Sequence, residues 1–217
     1  MDHPSSIKTF HARRGRMTST RTNVMNNVFP RYDLTQLTTP INLKAVKSSD
    51  EAIIDFGCGM GDATIHLLKA KPNSVVLSMD VHTPGICRIA EYANSQNFDN
   101  LLLHHGDGLD VLRDSLEPKS IDLLLTLFPD PWPKARHHKR RLIQHSYLAL
   151  AYKVLNSSGK LVIATDDYSY AEHIAEIVEN NDLFSRDDVN VEIPSTGFAR
   201  RGQQLGNQIE VFTLSPN

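Results

Sequence analysis

Nothing in this chain approaches the roughly 18–20 consecutive apolar residues that a bilayer-spanning helix needs. Its opening residues also lack the apolar stretch of a secretory signal. The expectation is a cytoplasmic protein without a membrane partner. Cysteine is nearly missing: Cys58 and Cys87 are the only 2 among 217 residues. Both sit inside apolar patterns at a spacing that suits neither a disulfide framework nor a metal site, which points to small core residues of a reduced, intracellular protein. The 10 histidines do not supply the missing metal spacing. The adjacent pairs His104-His105 and His137-His138 would diverge on a strand and lie about 100° apart on a helix, whereas zinc sites prefer other separations, so no metal is expected. Tryptophan occurs once, at Trp132. Acid is absent over one long stretch, because Pro131 to Thr165 holds 7 Lys/Arg and no Asp or Glu.

What is present balances that stretch. Net charge is only −2, yet Met1 to Asp50 carries 8 Lys/Arg against 3 acids, and Asp166 to Glu192 carries 9 acids against Arg186 alone. Segregation of this kind implies that one face meets a polyanion. Residues 1–35 are rich in Arg, Ser and Thr and poor in acid. Transit peptides share that composition; the preferred reading is a basic arm, too polar to bury itself, that is flexible alone and orders on nucleic acid. Residues 36–217 are expected to form a single domain.

From Glu51 onward, short apolar runs alternate with helical-period stretches. The runs are Ala52–Phe56, Val75–Met79, Leu101–His104, Ile121–Phe128 and Leu161–Ala164. The helical stretches begin near Asp62, Pro84, Gly108, His138 and Tyr168. This alternation predicts an α/β fold, a doubly wound and mostly parallel sheet with helices on both faces. Two further strand-like segments, Asn190–Ile193 and Ile209–Leu214, follow without a helix between them and predict an antiparallel edge pair, which brings the sheet to seven strands.

The first strand runs into Asp55-Phe56-Gly57-Cys58-Gly59-Met60-Gly61-Asp62. A dinucleotide fingerprint places its third glycine three residues after the second, so that a helix N-terminus receives a pyrophosphate. Here the separation is two. Asp80 ends the second strand, where an acid can chelate ribose hydroxyls, and Asp107 follows the third, where a carboxylate can accept from an adenine amino group. Strand-end acids around a glycine turn, without a Gly-Lys-Ser/Thr element, favour S-adenosyl-L-methionine over NAD or ATP.

The fourth strand leads into Phe128-Pro129-Asp130-Pro131-Trp132-Pro133-Lys134-Ala135-Arg136-His137-His138-Lys139-Arg140-Arg141. Each proline fixes its own φ and biases the residue before it toward extended geometry, so Asp130 should be held still. A held carboxylate beside an aromatic face and a basic ridge suits a flat, polyanionic substrate. Trp132 could stack on an extruded base or anchor the loop in the core. Lys134, Arg136, Lys139, Arg140 and Arg141, with Arg13, Arg14 and Arg16, are candidates to hold phosphates.

These elements resemble the bacterial tRNA (guanine-N7-)-methyltransferase family, of the Rossmann-like class I S-adenosyl-L-methionine-dependent fold. The likeness runs from Phe10–Thr18 through Asp55–Gly61, Asp80–Gly85, Phe128–Arg141 and Ala164–Asp166 to Arg201–Gly206. The Pro-Asp-Pro-Trp-Pro-Lys and Lys-Arg-Arg elements are its most specific parts. The resemblance implies methyl transfer to N7 of a guanine in the variable loop of tRNA, with tRNA as partner. It matches Asp55, Asp80 and Asp107 to cofactor-binding positions, with Gly57, Gly59 and Gly61 in the turn. It matches Asp130 to the catalytic position and Lys134, Asp166 and Thr196 to substrate-binding positions. The chain departs from the pattern at Ala199, where the family carries Glu, and at Asp167. A diverged methyltransferase acting on another RNA or a small molecule, or an RNA-binding relative without turnover, are the alternatives. Monomer and homodimer are equally compatible with the sequence.

Overall fold

The computed structural model describes residues 8–10, 17–188 and 208–217. Seven strands form one sheet: β1 Glu51–Phe56, β2 Ser74–Asp80, β3 Leu101–His105, β4 Ile121–Leu127, β5 Leu155–Thr165, β6 Phe184–Arg186 and β7 Glu210–Pro216. Their spatial order is β3-β2-β1-β4-β5-β7-β6. The five N-terminal strands pair in parallel, while β7 runs antiparallel to both β5 and β6. The expected antiparallel edge is therefore present, with Phe184–Arg186 as its outer strand. The segment Asn190–Ile193 lies outside the described residues.

Alternation of apolar side chains along each strand produces two cores. Ala52, Ile54, Leu77, Leu124 and Ile163 face one side, and Ile53, Val76, Leu125, Val162 and Ala164 face the other. The first side is covered by α6 His145–Val154 and α7 Tyr168–Glu179, through residues such as Tyr147, Leu148 and Ile174. The second is covered by α3 Asp62–Ala70 and α4 Thr83–Ser95, through Leu67, Leu68, Ile86 and Ile89. Strands buried on both faces read as continuous apolar runs, which is why the sequence marks them so clearly.

Two expectations need correction. The arm expected over residues 1–35 is in its second half part of the packed domain: α1 Ser19–Asn27 lies against α4, and Val24, Phe29, Tyr32 and Leu34 are buried. Four well-spaced apolar side chains suffice to dock a segment that is otherwise polar. The helix expected to begin near His138 begins at His145. Ala135–Arg140 form a 3-10 turn, and Arg141, Leu142 and Ile143 are all buried. Three consecutive buried residues cannot share the single apolar stripe of a surface helix.

The remaining helices are α2 Leu43–Lys47 and α5 Gly108–Asp110, the latter continuing as a π turn through Val111–Ser115. Strand order reverses between β1 and β4. Open α/β sheets bind ligands at the carboxyl ends of the strands at such a point.

Candidate functional site

A cleft of about 290 Å³ opens at that reversal, along the carboxyl ends of β1, β2 and β4. Its walls bring together Gly57, Gly59, Asp80, Asp107 and Asp130, five of the residues singled out in the sequence. Phe56, Met79, Leu127 and Leu142 supply an apolar flank, and among the described residues no Lys or Arg lines it.

The glycine turn is shaped by the end of β2. The N–H groups of Gly57 and Cys58 donate to Met79 O at 2.8 and 3.2 Å. Gly57, Gly59 and Gly61 have φ of +74°, +54° and +80°, the left-handed region that L side chains avoid. Asp80 is the hinge of this arrangement: its Oδ2 accepts from Gly59 N–H at 2.7 Å and its Oδ1 from His82 N–H at 2.8 Å. Each carboxylate oxygen keeps a further lone pair for hydroxyl donors. Asp107 caps the short helix that follows β3, accepting from Leu109 N–H at 3.0 Å. A Cβ built on Gly57 would meet nothing within 4 Å, so ligand can approach the backbone there.

Gly85 was named in the sequence only as part of a motif, and its packing role was missed. A Cβ on it would fall 1.6 Å from Gly59 O, so the first turn of α4 presses on the glycine turn backbone to backbone. The following Pro84-Gly85 pair after a strand-end acid was the available signal. Thr9 and Phe10 also line the cleft, brought there by the N-terminal segment.

Two predicted cofactor residues lie elsewhere. Asp55 is 2% exposed and absent from the cleft wall; its Oδ2 accepts from Thr64 Oγ1 at 2.6 Å, and that hydroxyl also lies 2.8 Å from Ser78 Oγ. Burial pushes the Asp55 carboxyl up to about 6, against the opposing hydrogen bond from Thr64. It braces the start of α3 against β1 and β2 from beneath the turn. Gly61 is also off the wall: a Cβ there would fall 2.2 Å from Ile89 Cγ1, so it is a packing glycine between α3 and α4.

The Asp130 loop departs from the expected geometry at its start. Phe128, before Pro129, has φ +55°, and Trp132 has φ +47°. The first is held by its N–H donating to Ala164 O at 2.8 Å, which extends the β4–β5 ladder one residue past the strand. Large side chains at positive φ are uncommon, and such strain of order 1–3 kcal/mol persists only where surrounding contacts over-determine it.

Asp130 itself is exposed at the mouth of the cleft. Trp132 is 4% exposed; its Nε1 donates to Thr9 O at 3.1 Å, Arg140 stacks over the ring at 4.9 Å and His137 meets it edge-on at 5.7 Å. Its place among base-stacking residues is therefore corrected to the other reading, an anchor for the loop. Lys134, Arg136 and Lys139 are exposed and Arg140 is half-buried, a basic rim on the segment that follows Asp130 in the chain. Arg141 departs from this rim, being 2% exposed.

Asp166 is half-buried at the end of β5 and off the cleft wall. Asp167 accepts from Tyr170 N–H at 2.8 Å and caps α7, a local task that explains an acid there. Thr196 and Ala199, and Arg13, Arg14 and Arg16, lie outside the described residues.

Comparison with known proteins agrees with this geometry. A family model described as "Putative methyltransferase" matches residues 49–210. A tRNA (guanine-N(7)-)-methyltransferase of Nitrosococcus oceani is 34% identical over 95% of this chain and 89% of its own length. One of Actinobacillus succinogenes is 33% identical over 94% of this chain and 85% of its own. Among solved structures, the 16S rRNA methyltransferase KamB superposes with a TM-score of 0.55 at 14% identity, covering 80% of this chain and 91% of that one, which supports the class I methyltransferase fold. With the glycine turn, the strand-end acids and the Asp130 loop assembled around one cleft, the chain belongs to the bacterial tRNA (guanine-N7-)-methyltransferase family.

Proposed function

We propose that this protein transfers a methyl group from S-adenosyl-L-methionine to N7 of a guanine in the variable loop of tRNA. The observation that carries the reading is the one cleft joining the glycine turn, Asp80 and Asp107 to Asp130, with exposed cations on the segment that follows Asp130 in the chain. The residues present fit the cofactor. The cleft lacks a phosphate-binding cation among its described walls, leaves space above Gly57, and offers Asp80 for ribose hydroxyls and Asp107 for the adenine amino group. When bound, the cofactor supplies a sulfonium methyl.

The chain's own residues then have limited tasks. Guanine N7 carries a free lone pair on the major-groove edge, so no base has to remove a proton first. Alignment of that lone pair is the main requirement, and orientation supplies up to ~7–11 kcal/mol in ideal cases. Positive charge develops on the purine as transfer proceeds. Asp130, on the cleft wall, stabilises that charge electrostatically and accepts from the guanine N1–H and amino group. Asp166 helps to clamp the base, with Thr196 as a further substrate contact. Lys134, Arg136, Lys139 and Arg140 hold phosphates, together with the basic N-terminal residues. The reaction belongs in the cytoplasm, where tRNA is modified.

The test is transfer of label from S-adenosyl-L-methionine to an unmodified tRNA transcript, with the product mapped by chain cleavage at N7-methylguanine. A single signal in the variable loop is expected. Label at another base, or none despite cofactor and tRNA binding, overturns the reading.

A further inference from the structure

The side chain of Arg141 is among the largest fully buried ones in the protein. Among the described residues its guanidinium donates to neutral oxygens: Nε to Pro131 O at 3.0 Å, Nη1 to Ser169 O at 3.2 Å and Nη2 to Ser169 Oγ at 3.0 Å. It also lies over the Tyr170 ring, 5.1 Å from the centroid. Burying a cation is unfavourable, so a residue whose guanidinium is spent on directed bonds to two loops is held for what those donors connect.

They connect two loops. Pro131 follows Asp130 directly, and its carbonyl lies between Phe128 and Trp132, both of which have positive φ. Ser169 lies three residues beyond Asp166, in the first turn of α7. Tyr170 closes the unit, since its OH accepts from Ile143 N–H at 3.0 Å and so ties α7 back to the segment bearing Arg141. One rigid planar fork therefore sets the loop after β4 against the loop after β5.

We propose that Arg141 is a positioning residue for methyl transfer, holding the Asp130 and Asp166 loops in register, and is not one of the phosphate-binding cations of the basic rim. The proposal rests on the tRNA-methylating reading of the site. Misplacement of a reacting partner by about 1 Å lowers rate on the order of 10²-fold, so turnover should depend on this fork while affinity for the polyanion should not.

The experiment compares wild type with Arg141→Gln and Arg141→Lys in three readouts. The first is kcat for tRNA methylation. The second is the slope of log K against log salt for tRNA binding. The third is acrylamide quenching of Trp132, which as the only tryptophan reports the loop without reference to activity. For both variants, kcat is expected to fall about 10- to 100-fold, with the salt slope and cofactor Kd unchanged and Trp132 more accessible to quencher. Lysine should not rescue, because it lacks the fork.

A slope reduced by ~0.7–0.9 with kcat retained would make Arg141 a phosphate ligand and overturn the proposal. Wild-type quenching and wild-type kcat would overturn it as well. If Arg141 variants fail to fold, Ser169→Ala removes one acceptor at an exposed residue. It should then raise quenching and lower kcat in the same direction, and a wild-type result in both overturns the proposal. A wild type that methylates no tRNA, while Arg141→Gln still loosens Trp132, would remove the functional reading and leave the loop restraint standing.

Discussion

Gly59 N–H donates to Asp80 Oδ2 at 2.7 Å, so the turn proposed to receive the cofactor and the acid proposed to hold its ribose form one hydrogen-bonded unit. The other Asp80 oxygen accepts from His82 N–H, which ties the same unit to the start of α4. A change at Asp80 should therefore disturb two things together, the acid and the shape of the turn.

Asp80→Asn places an NH2 group where one of two backbone N–H donors now points. Hydrogen bonds to charged groups are worth about 1.5–3 kcal/mol, so S-adenosyl-L-methionine affinity is expected to fall roughly 10- to 150-fold by titration calorimetry. Unchanged affinity would show that Asp80 does not reach the ligand.

Gly85→Ala tests the contact behind the turn. With backbone at both ends of the 1.6 Å clash, α4 or the turn must move. The expected result is destabilisation of about 1–3 kcal/mol in denaturant titration, together with weaker cofactor binding. Gly57→Ala meets no neighbour and should lose only the roughly 1–2 kcal/mol of its left-handed backbone.

Asp55 makes stability depend on pH in an identifiable window. Its carboxyl is raised by burial to about 6 in the folded protein, so the fold favours the protonated form. That contribution is complete below the unfolded value near 4 and is lost as pH rises through about 6, a difference on the order of 3 kcal/mol. Asp55→Asn should remove this part of the pH dependence. The check is the wild-type minus variant difference in unfolding free energy, which should decline with rising pH and then level off above the window.

Asp130→Asn should lower kcat on the order of 10²-fold, with a much smaller change in cofactor Kd, measured in single-turnover methyl transfer. Full turnover would leave Asp130 without a part in the chemistry.

Single alanine substitutions at Lys134, Arg136 and Lys139 are each expected to reduce the log–log salt slope of tRNA binding by ~0.7–0.9. A slope that none of them alters would move the RNA footprint away from this rim.

The fold was largely legible in the chain. Period-2 and near-continuous apolar runs located β1 to β5 within a residue or two, except for the first part of β5, where Asn156-Ser157-Ser158-Gly159 carries little apolar signal. The cleft acids Asp80, Asp107 and Asp130 were legible for a related reason: each stands where an apolar run stops, and in a parallel sheet those ends share one edge.

Which polar residues turn inward was not legible. Asp55 and Asp80 both stand at strand ends beside the glycine turn, yet one is buried against Thr64 and the other lines the cleft. Arg140 and Arg141 are neighbours in one basic run, and only the second is fully buried. Trp132 looked equally suited to stacking and to anchoring until Thr9, 123 positions away, supplied its acceptor. Residue type and periodicity are local properties, and they determined the parallel strands, most of the helices between them and the sheet edge on which the acids gather. Burial and hydrogen-bond partnership arise between segments far apart in the chain, so the tertiary structure alone decided which of those acids and cations face the cleft or the solvent and which are packed into the fold.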